Sequence, residues 1–353
     1  MYTARSIPAA ILSLLSLSLL LMATGCAQPR AELYGTRPAQ IGLPGVRTLA
    51  VAPFEVRSPN QTLVAEQARQ CLLRELLASS RYQVLDAESP YQVSQAGGGQ
   101  ADAMIRTQVN LSLHDRQLNE LAHVQDTATK TTTVTHPDGT TSTREETVTM
   151  EHSEQVPGVH RQAEARLVLT AIDPETGALV GSGADTQRLN QTYGGAASLA
   201  GANEYDASRP ALYQMQSADR DLAELACRAA SALGQEMLPQ SYVESVTLDI
   251  GLGDGPAEQG AWLADEGNWE GAARIWSSIP QGHPEYAPAL YNLGLYWEAK
   301  GTPADFLQAR ELYAQARAVI DQPLYQEALI RIDQRLEEAR QLSLQSAPGY
   351  VVQ

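Results

Sequence analysis

Three thiols, six imidazoles and a few glycine-flanked hydroxyls are the groups in this chain whose spacing could support chemistry. The histidines are His114, His123, His136, His152, His160 and His283. None stands four residues from another, or beside a cysteine at the spacing a zinc site requires. His152 and His160 flank a threonine-rich stretch, where a carboxylate could meet them as ordinary surface imidazoles. Gly181-Ser182-Gly183 is not set in Gly-x-Ser-x-Gly, the strained turn that exposes a nucleophilic serine. Gly97-Gly98-Gly99 and Gly251-x-Gly253-x-Gly255 lack the lysine and the strand–helix flanks of a phosphate cradle; the second reads as a linker. The carboxylates are scattered, with no pair that marks hydrolysis. The expectation is a protein that is not an enzyme, with no catalytic, cofactor-binding or metal-binding residues.

The first cysteine belongs to a leader. Arg5 precedes an apolar run from Ile7 to Met22, too short to span a bilayer comfortably. Ala23-Thr24-Gly25-Cys26 follows, and its small residues before a cysteine resemble a bacterial lipoprotein signal, with Ala23 where that family most often has leucine. The resemblance implies that residues 1–26 are the signal peptide and lipobox, cleaved ahead of a diacylated Cys26. Two or three acyl chains make a stable anchor, at about 0.8 kcal/mol per buried methylene. Ala27 stands where an aspartate would signal inner-membrane retention, so the implied location is the periplasmic face of the outer membrane. The alternative is an ordinary secretory leader.

Cys71 and Cys227 remain, both in stretches that read as helices of the first domain. An exported chain permits a disulfide between them, closing a long loop at a gain of several kcal/mol. Two buried, unpaired thiols are the other reading.

The balance of 25 Lys and Arg against 41 Asp and Glu gives a net charge of −16. That excludes a broad contact with nucleic acid or with anionic lipid headgroups. With 43% hydrophobic residues, the 353-residue chain is long enough to build two domains.

Residues 27–45 carry Pro, Gly and Arg without periodicity and read as a tether. Val46–Phe54 reads as a buried strand, Gln61–Ser79 as a helix and Tyr82–Leu85 as a second strand. A short helix is expected over Ala87–Val93, and a strand over Ala103–Leu113. Thr127–Met150 is rich in Thr and Val around His136-Pro137-Asp138-Gly139, which predicts a long hairpin with an outer half polar on both faces. Arg161–Ile172 and Ala178–Thr192 form a second hairpin across Asp173–Gly177, with Ala163, Ala165, Leu167, Leu169 and Ala171 alternating inward. A loop over Tyr193–Gln214, a helix over Ser217–Met237 and a strand over Tyr242–Ile250 complete the domain.

This order, with Leu49–Phe54, Leu77–Ser80, Arg81–Leu85 and Asp173–Gly177, resembles the α/β domain of periplasmic lipoproteins of the CsgG, LpoB and TolB amino-terminal type. No membrane-spanning hairpins like those of the curli pore are visible. In residues 257–342, Gly260, Leu263, Gly267, Ala272, Trp276 and Pro284 fall at tetratricopeptide offsets, and Leu290, Leu293, Gly294, Trp297, Ala309, Tyr313 and Ala316 repeat them. Leu324–Leu342 reads as a capping helix, and 343–353 as a tail. Trp276 and Trp297 suit the inter-helix core, and Trp269 is the residue expected at the surface as a partner contact.

The fold expected is therefore α+β, an α/β domain with long hairpins over 46–250 followed by an all-α repeat domain. The resemblance implies an outer-membrane-anchored adaptor or assembly factor with a periplasmic or outer-membrane protein partner. The alternatives are a homo-oligomeric secretion collar, in which the Thr-rich hairpin pairs with a neighbour, and a regulator of a cell-wall synthase.

Overall fold

The computed structural model describes residues 28–87, 101–200 and 202–346. Cys26, the expected helix over Ala87–Val93 beyond its first residue and the Gly97–Gly99 loop lie outside them. The described chain mixes α and β structure and divides into two compact units. One holds Ala39–Pro239; the other joins Gln240–Ser343 to the residues before Ala39.

The α/β unit is organised on β2 (Thr48–Val51), which pairs in parallel with β4 (Gln83–Asp86) and β5 (Ala103–Thr135). Leu49, Ala50 and Val51 are fully buried, the continuous apolar run that a parallel central strand requires. A two-residue strand, β3 (Glu55–Val56), also joins β5 in parallel. β6 (Thr141–Ile172) and β7 (Leu179–Gly194) extend the sheet antiparallel, in the order β4-β2-β5-β6-β7. Two helices, α1 (Thr62–Ala78) and α2 (Ala218–Glu236), supply the core over one face. Their Leu72, Leu76, Leu225 and Leu233 pack with Leu167 and Leu169 from β6, each buried leucine contributing about 1.5–3 kcal/mol. The helices approach closely because Gly234 has no side chain; a Cβ there would lie 2.8 Å from the Glu75 Cβ.

Two buried arginines lock this unit. Arg69 on α1 donates from Nε to the carbonyl of Ala52 and from Nη2 to that of Val51, and pairs with Asp86, fixing α1 over the end of β2. Arg161 on β6 binds Asp115 through Nε (2.8 Å) and Nη2 (2.6 Å), and Asp221 through Nη1 (2.6 Å). Asp221 lies in the first turn of α2, so this network seats the helix start on the sheet.

The hairpin expected over Thr127–Met150 is the outer end of a far longer one. β5 and β6 pair continuously from Met104↔Ile172 to Thr135↔Thr141, with no break over 114–126. Beyond Gly158↔Gly194, where β7 ends, they continue as a two-stranded ribbon.

The second unit differs from the expected tether. Arg30–Arg37 forms β1, paired antiparallel with β8 (Gln240–Thr247) from Arg30↔Thr247 to Arg37↔Gln240. Ala31 and Leu33 are buried while Arg30, Glu32 and Tyr34 face out, a period of two that the surrounding Pro and Gly obscure. The strand expected to close the α/β domain therefore belongs to the helical unit, and the division falls at Pro239/Gln240 rather than at Gly251–Pro256. Helices α3 (Pro256–Asp265), α4 (Trp269–Ser277), α5 (Tyr286–Lys300), α6 (Pro303–Val319) and α7 (Pro323–Ser346) follow. Small residues set their contacts: a Cβ at Gly260 would come within 2.3 Å of Trp276 Nε1, and one at Gly294 within 2.4 Å of Tyr313 Cε1. Glu298, wholly buried, accepts from Tyr313 Oη (2.6 Å) and from Arg331 Nε (2.9 Å), and also pairs with Arg335.

Gly294→Ala is expected to lower the stability of the helical unit by about 1–3 kcal/mol through overpacking against Tyr313, measured as a lowered urea midpoint. An unchanged midpoint would show that the Tyr313 ring yields.

Candidate functional site

Cys71 on α1 and Cys227 on α2 are joined by a disulfide, with their Cα atoms 5.5 Å apart. It ties the two helices over the sheet. Both sulfurs lie in the helical layer, where they hold the scaffold.

The histidines do not converge. His152 lies 3.5 Å from Asp126, His123 meets Ser153, His136 meets Ser142, and His160 meets Thr192. In the helical unit, His283 accepts the backbone N–H of Glu285. Among the described residues, no group of three or more His, Cys, Asp and Glu is placed to hold a metal ion.

The feature that stands apart from the core is the ribbon. Its base is held on one face, where Ala122 and Val124 pack with Ala196 and Ala202. Glu120 binds Arg209 and the N–H of Ala196 beside them. Among the described residues, the outermost bridge from the ribbon to another segment joins Val124 to Ala202. From Val124↔His152 to Thr135↔Thr141 the two strands continue alone, a reach of about 40 Å at the rise of a β-strand. The turn is built on Gly139 at φ 83°, with Asp138 accepting from the N–H and hydroxyl of Thr140. Those bonds hold the Asp138 carboxyl below its ordinary pKa.

Alternation gives the ribbon two unlike faces. One carries Thr127, Thr129, Thr131, Thr133 and Thr135 opposite Thr141, Thr143, Thr147 and Thr149. The other carries Ala128, Val134, Val148 and Met150 among Lys130, Arg144 and Glu146. This second face is mostly polar too, as expected: the Lys130–Glu146 and Thr132–Arg144 pairs separate the exposed Val134 from Val148 and Met150, so no apolar stripe runs along it. Among the described residues no strand pairs with either long edge of this outer segment, so their alternate N–H and C=O groups are open to another strand.

Trp269 begins α4 and packs, half-buried, against the helical core. The exposed indole is instead Trp262 on α3, at 44%. Ala257, Gly260, Ala261 and Ala264 form the buried face of α3, and that helical periodicity turns Trp262 outward. This spacing was the available signal, and tetratricopeptide offsets alone do not carry it.

The helical unit also holds a groove of about 500 Å³ lined by Tyr34, Gly35, Tyr242, Phe306, Arg335 and Leu342. The Tyr242 ring lies between the guanidiniums of Arg37 (4.6 Å) and Arg335 (5.3 Å). Gly35 allows it, since a Cβ there would be 2.5 Å from the ring. Burial pushes the Tyr242 hydroxyl up to about 12, so it stays a donor, to Glu338. Arg335 Nη1 donates to the carbonyl of Tyr34, and its Nε faces Glu298 at 2.9 Å. These contacts make the guanidinium part of the packing.

No protein-family model and no curated protein matches the chain. Among solved structures it is similar to the PelC dodecamer from Paraburkholderia phytofirmans, at 13% identity over 59% of this chain and 97% of that one, with a TM-score of 0.27. It is also similar to a neuraminyllactose-binding hemagglutinin homolog from Helicobacter pylori, at 10% identity over 56% and 88%, with a TM-score of 0.31. Lipoprotein GNA1162 from Neisseria meningitidis matches at 13% over 41% and 83%, with a TM-score of 0.22. No helix among the described residues is long and apolar enough to cross a membrane.

The Arg161 network at the start of α2 yields two expectations. Arg161→Met leaves Asp221 buried without its cation and should cost about 3–5 kcal/mol, read from urea unfolding. The hydrogen bond from Arg161 holds Asp115 below its ordinary pKa. That stabilisation is present above the unfolded value, about pH 3.9, and is lost as pH falls through the depressed folded value. Stability below about pH 4 should therefore fall less steeply in Asp115→Asn than in the wild type; equal slopes would refute the coupling.

Proposed function

We propose that this protein is an outer-membrane-anchored periplasmic lipoprotein, without catalytic activity, that works as an adaptor or assembly factor in a cell-envelope complex. The observation that carries the interaction role is the ribbon. An isolated two-stranded hairpin is marginally stable in water, yet this one extends about 40 Å past its outermost bridge to another segment among the described residues. Free edges and a threonine face are the elements a partner needs to add a strand or cover a face. The anchor is supported by Ala23-Thr24-Gly25-Cys26 in the leader. The helical unit offers a second docking surface, with Trp262 outward.

The second reading is a collar of identical subunits. The observation favouring it is that the ribbon has two open edges, so each copy could pair with a neighbour on either side.

Replacing residues 127–150 by a short glycine linker should leave the melting temperature within a few degrees, because the segment lies beyond the Val124–Ala202 bridge. Crosslinking to envelope partners in intact cells should disappear; persistence of the same crosslinks would sink the ribbon as the docking element. If loss of the segment instead dissolves a discrete oligomer of the purified protein, the collar is correct. Cys26→Ser should move the protein from the membrane to the soluble fraction, and unchanged membrane partition would refute the lipid anchor.

A further inference from the structure

The six-stranded sheet is covered by helices on one face, and among the described residues no helix packs on its other face over β5, β6 and β7. Period-two alternation sends Arg106 and Arg116 of β5, Arg166 of β6 and Arg188 of β7 to that open face. All four are exposed. Arg106 pairs with Glu55 and Arg188 with Glu164. Arg116 and Arg166 have no ion-pair partner among the described residues. They stand six β6 positions apart, since Arg116 lies opposite His160, which is about 20 Å along the strands.

The helical unit has the opposite character. No Lys or Arg occurs from Gln240 to Ala273, a stretch of this unit holding seven Asp and Glu. Three of these, Glu258, Asp265 and Glu266, share the outward face of α3 with Trp262 at the spacing of successive turns. Trp262 Nε1 donates to Glu258 at 3.2 Å, which fixes the ring beside the carboxylates. An indole flanked by carboxylates suits a guanidinium, which can lie over the ring and bond the acids at its edge.

We propose that the open arginine face of one copy docks on the acidic Trp262 face of α3 in a second copy. Charge complementarity selects this occupant: among the described residues Arg116 and Arg166 stand without ion pairs on the sheet face, and Glu258, Asp265 and Glu266 gather beside Trp262 on the helical unit. The two surfaces differ, so the contact is heterologous and repeats from copy to copy, giving a closed ring or a growing chain. This goes beyond the adaptor reading and uses neither the ribbon nor the lipid.

The test is the solution mass of the chain from Ala27 onward, by light scattering at low and high salt. The wild type should exceed one chain at low salt and fall towards one chain as salt rises. Arg116→Glu with Arg166→Glu should be one chain throughout, as should Asp265→Arg with Glu266→Arg. An equimolar mixture of the two charge-reversed proteins should regain the higher mass, because each reversed surface then meets its complement. A wild type that stays at one chain at every concentration overturns the proposal. So do reversed variants that keep the wild-type mass, and a mixture that fails to recover it. If a reversed variant misfolds by circular dichroism, Arg116→Gln with Arg166→Gln gives the same reading without new charge. Deleting 127–150 should leave this association intact, which separates its failure from failure of the ribbon as a docking element.

Discussion

Backbone hydrogen bonding between β5 and β6 runs without a shift from Met104↔Ile172 to Thr135↔Thr141. A slip of one residue would exchange the faces of every side chain on the moving strand. In the inner half that exchange would send Leu167 and Leu169 to solvent and Arg166 into the core. The outer half has no core to choose its register, so it inherits the register chosen by the inner half. The separation of threonines from Val134, Val148 and Met150 is therefore set by leucines tens of ångströms away. The sheet order, the seating of α1 and α2 and the two unlike ribbon faces all follow from this pairing.

The buried charges are placed where they fix one element on another. Arg69 holds the end of β2 to α1, Arg161 holds the start of α2 to β5 and β6, and Glu298 gathers Tyr313, Arg331 and Arg335. Burial pulls the Arg331 pKa down, yet hydrogen bonding and charge attraction to Glu298, with Tyr313 and Tyr291, together outweigh it and hold the guanidinium above its ordinary value. Burial likewise raises the Tyr313 hydroxyl well above its usual range, leaving it a permanent donor. Such groups are costly when unpaired, so they favour one arrangement of helices over others of similar apolar content.

Much of the local structure was legible in the sequence. The strand alternation of Ala163–Ala171, the helix through Leu222–Leu233 and the turn at Pro137-Asp138-Gly139 each follow from a strong periodic or turn signal. The pairing of Arg30–Arg37 with Gln240–Thr247 was not legible, because its partners are some two hundred residues apart and its apolar half is only Ala31 and Leu33. Continuity of the hairpin across 114–126 was hidden by polar residues on both sides of the alternation. Trp269 and Trp262 exchanged roles because repeat offsets locate small contact residues and leave helix orientation unassigned. The arginine face was equally hidden, since it exists only when three strands are laid side by side.

The disulfide also bears on what a protease can do to the molecule. Cys71 and Cys227 lie on opposite sides of the ribbon in sequence, 156 positions apart. Lys130 and Arg144 flank the exposed turn, inviting tryptic cuts at the place most open to attack. Such cuts excise the tip, yet the two large fragments remain one covalent molecule through the helix-layer bridge. The protein can lose its outermost surface and still migrate almost at full size until a reductant is added.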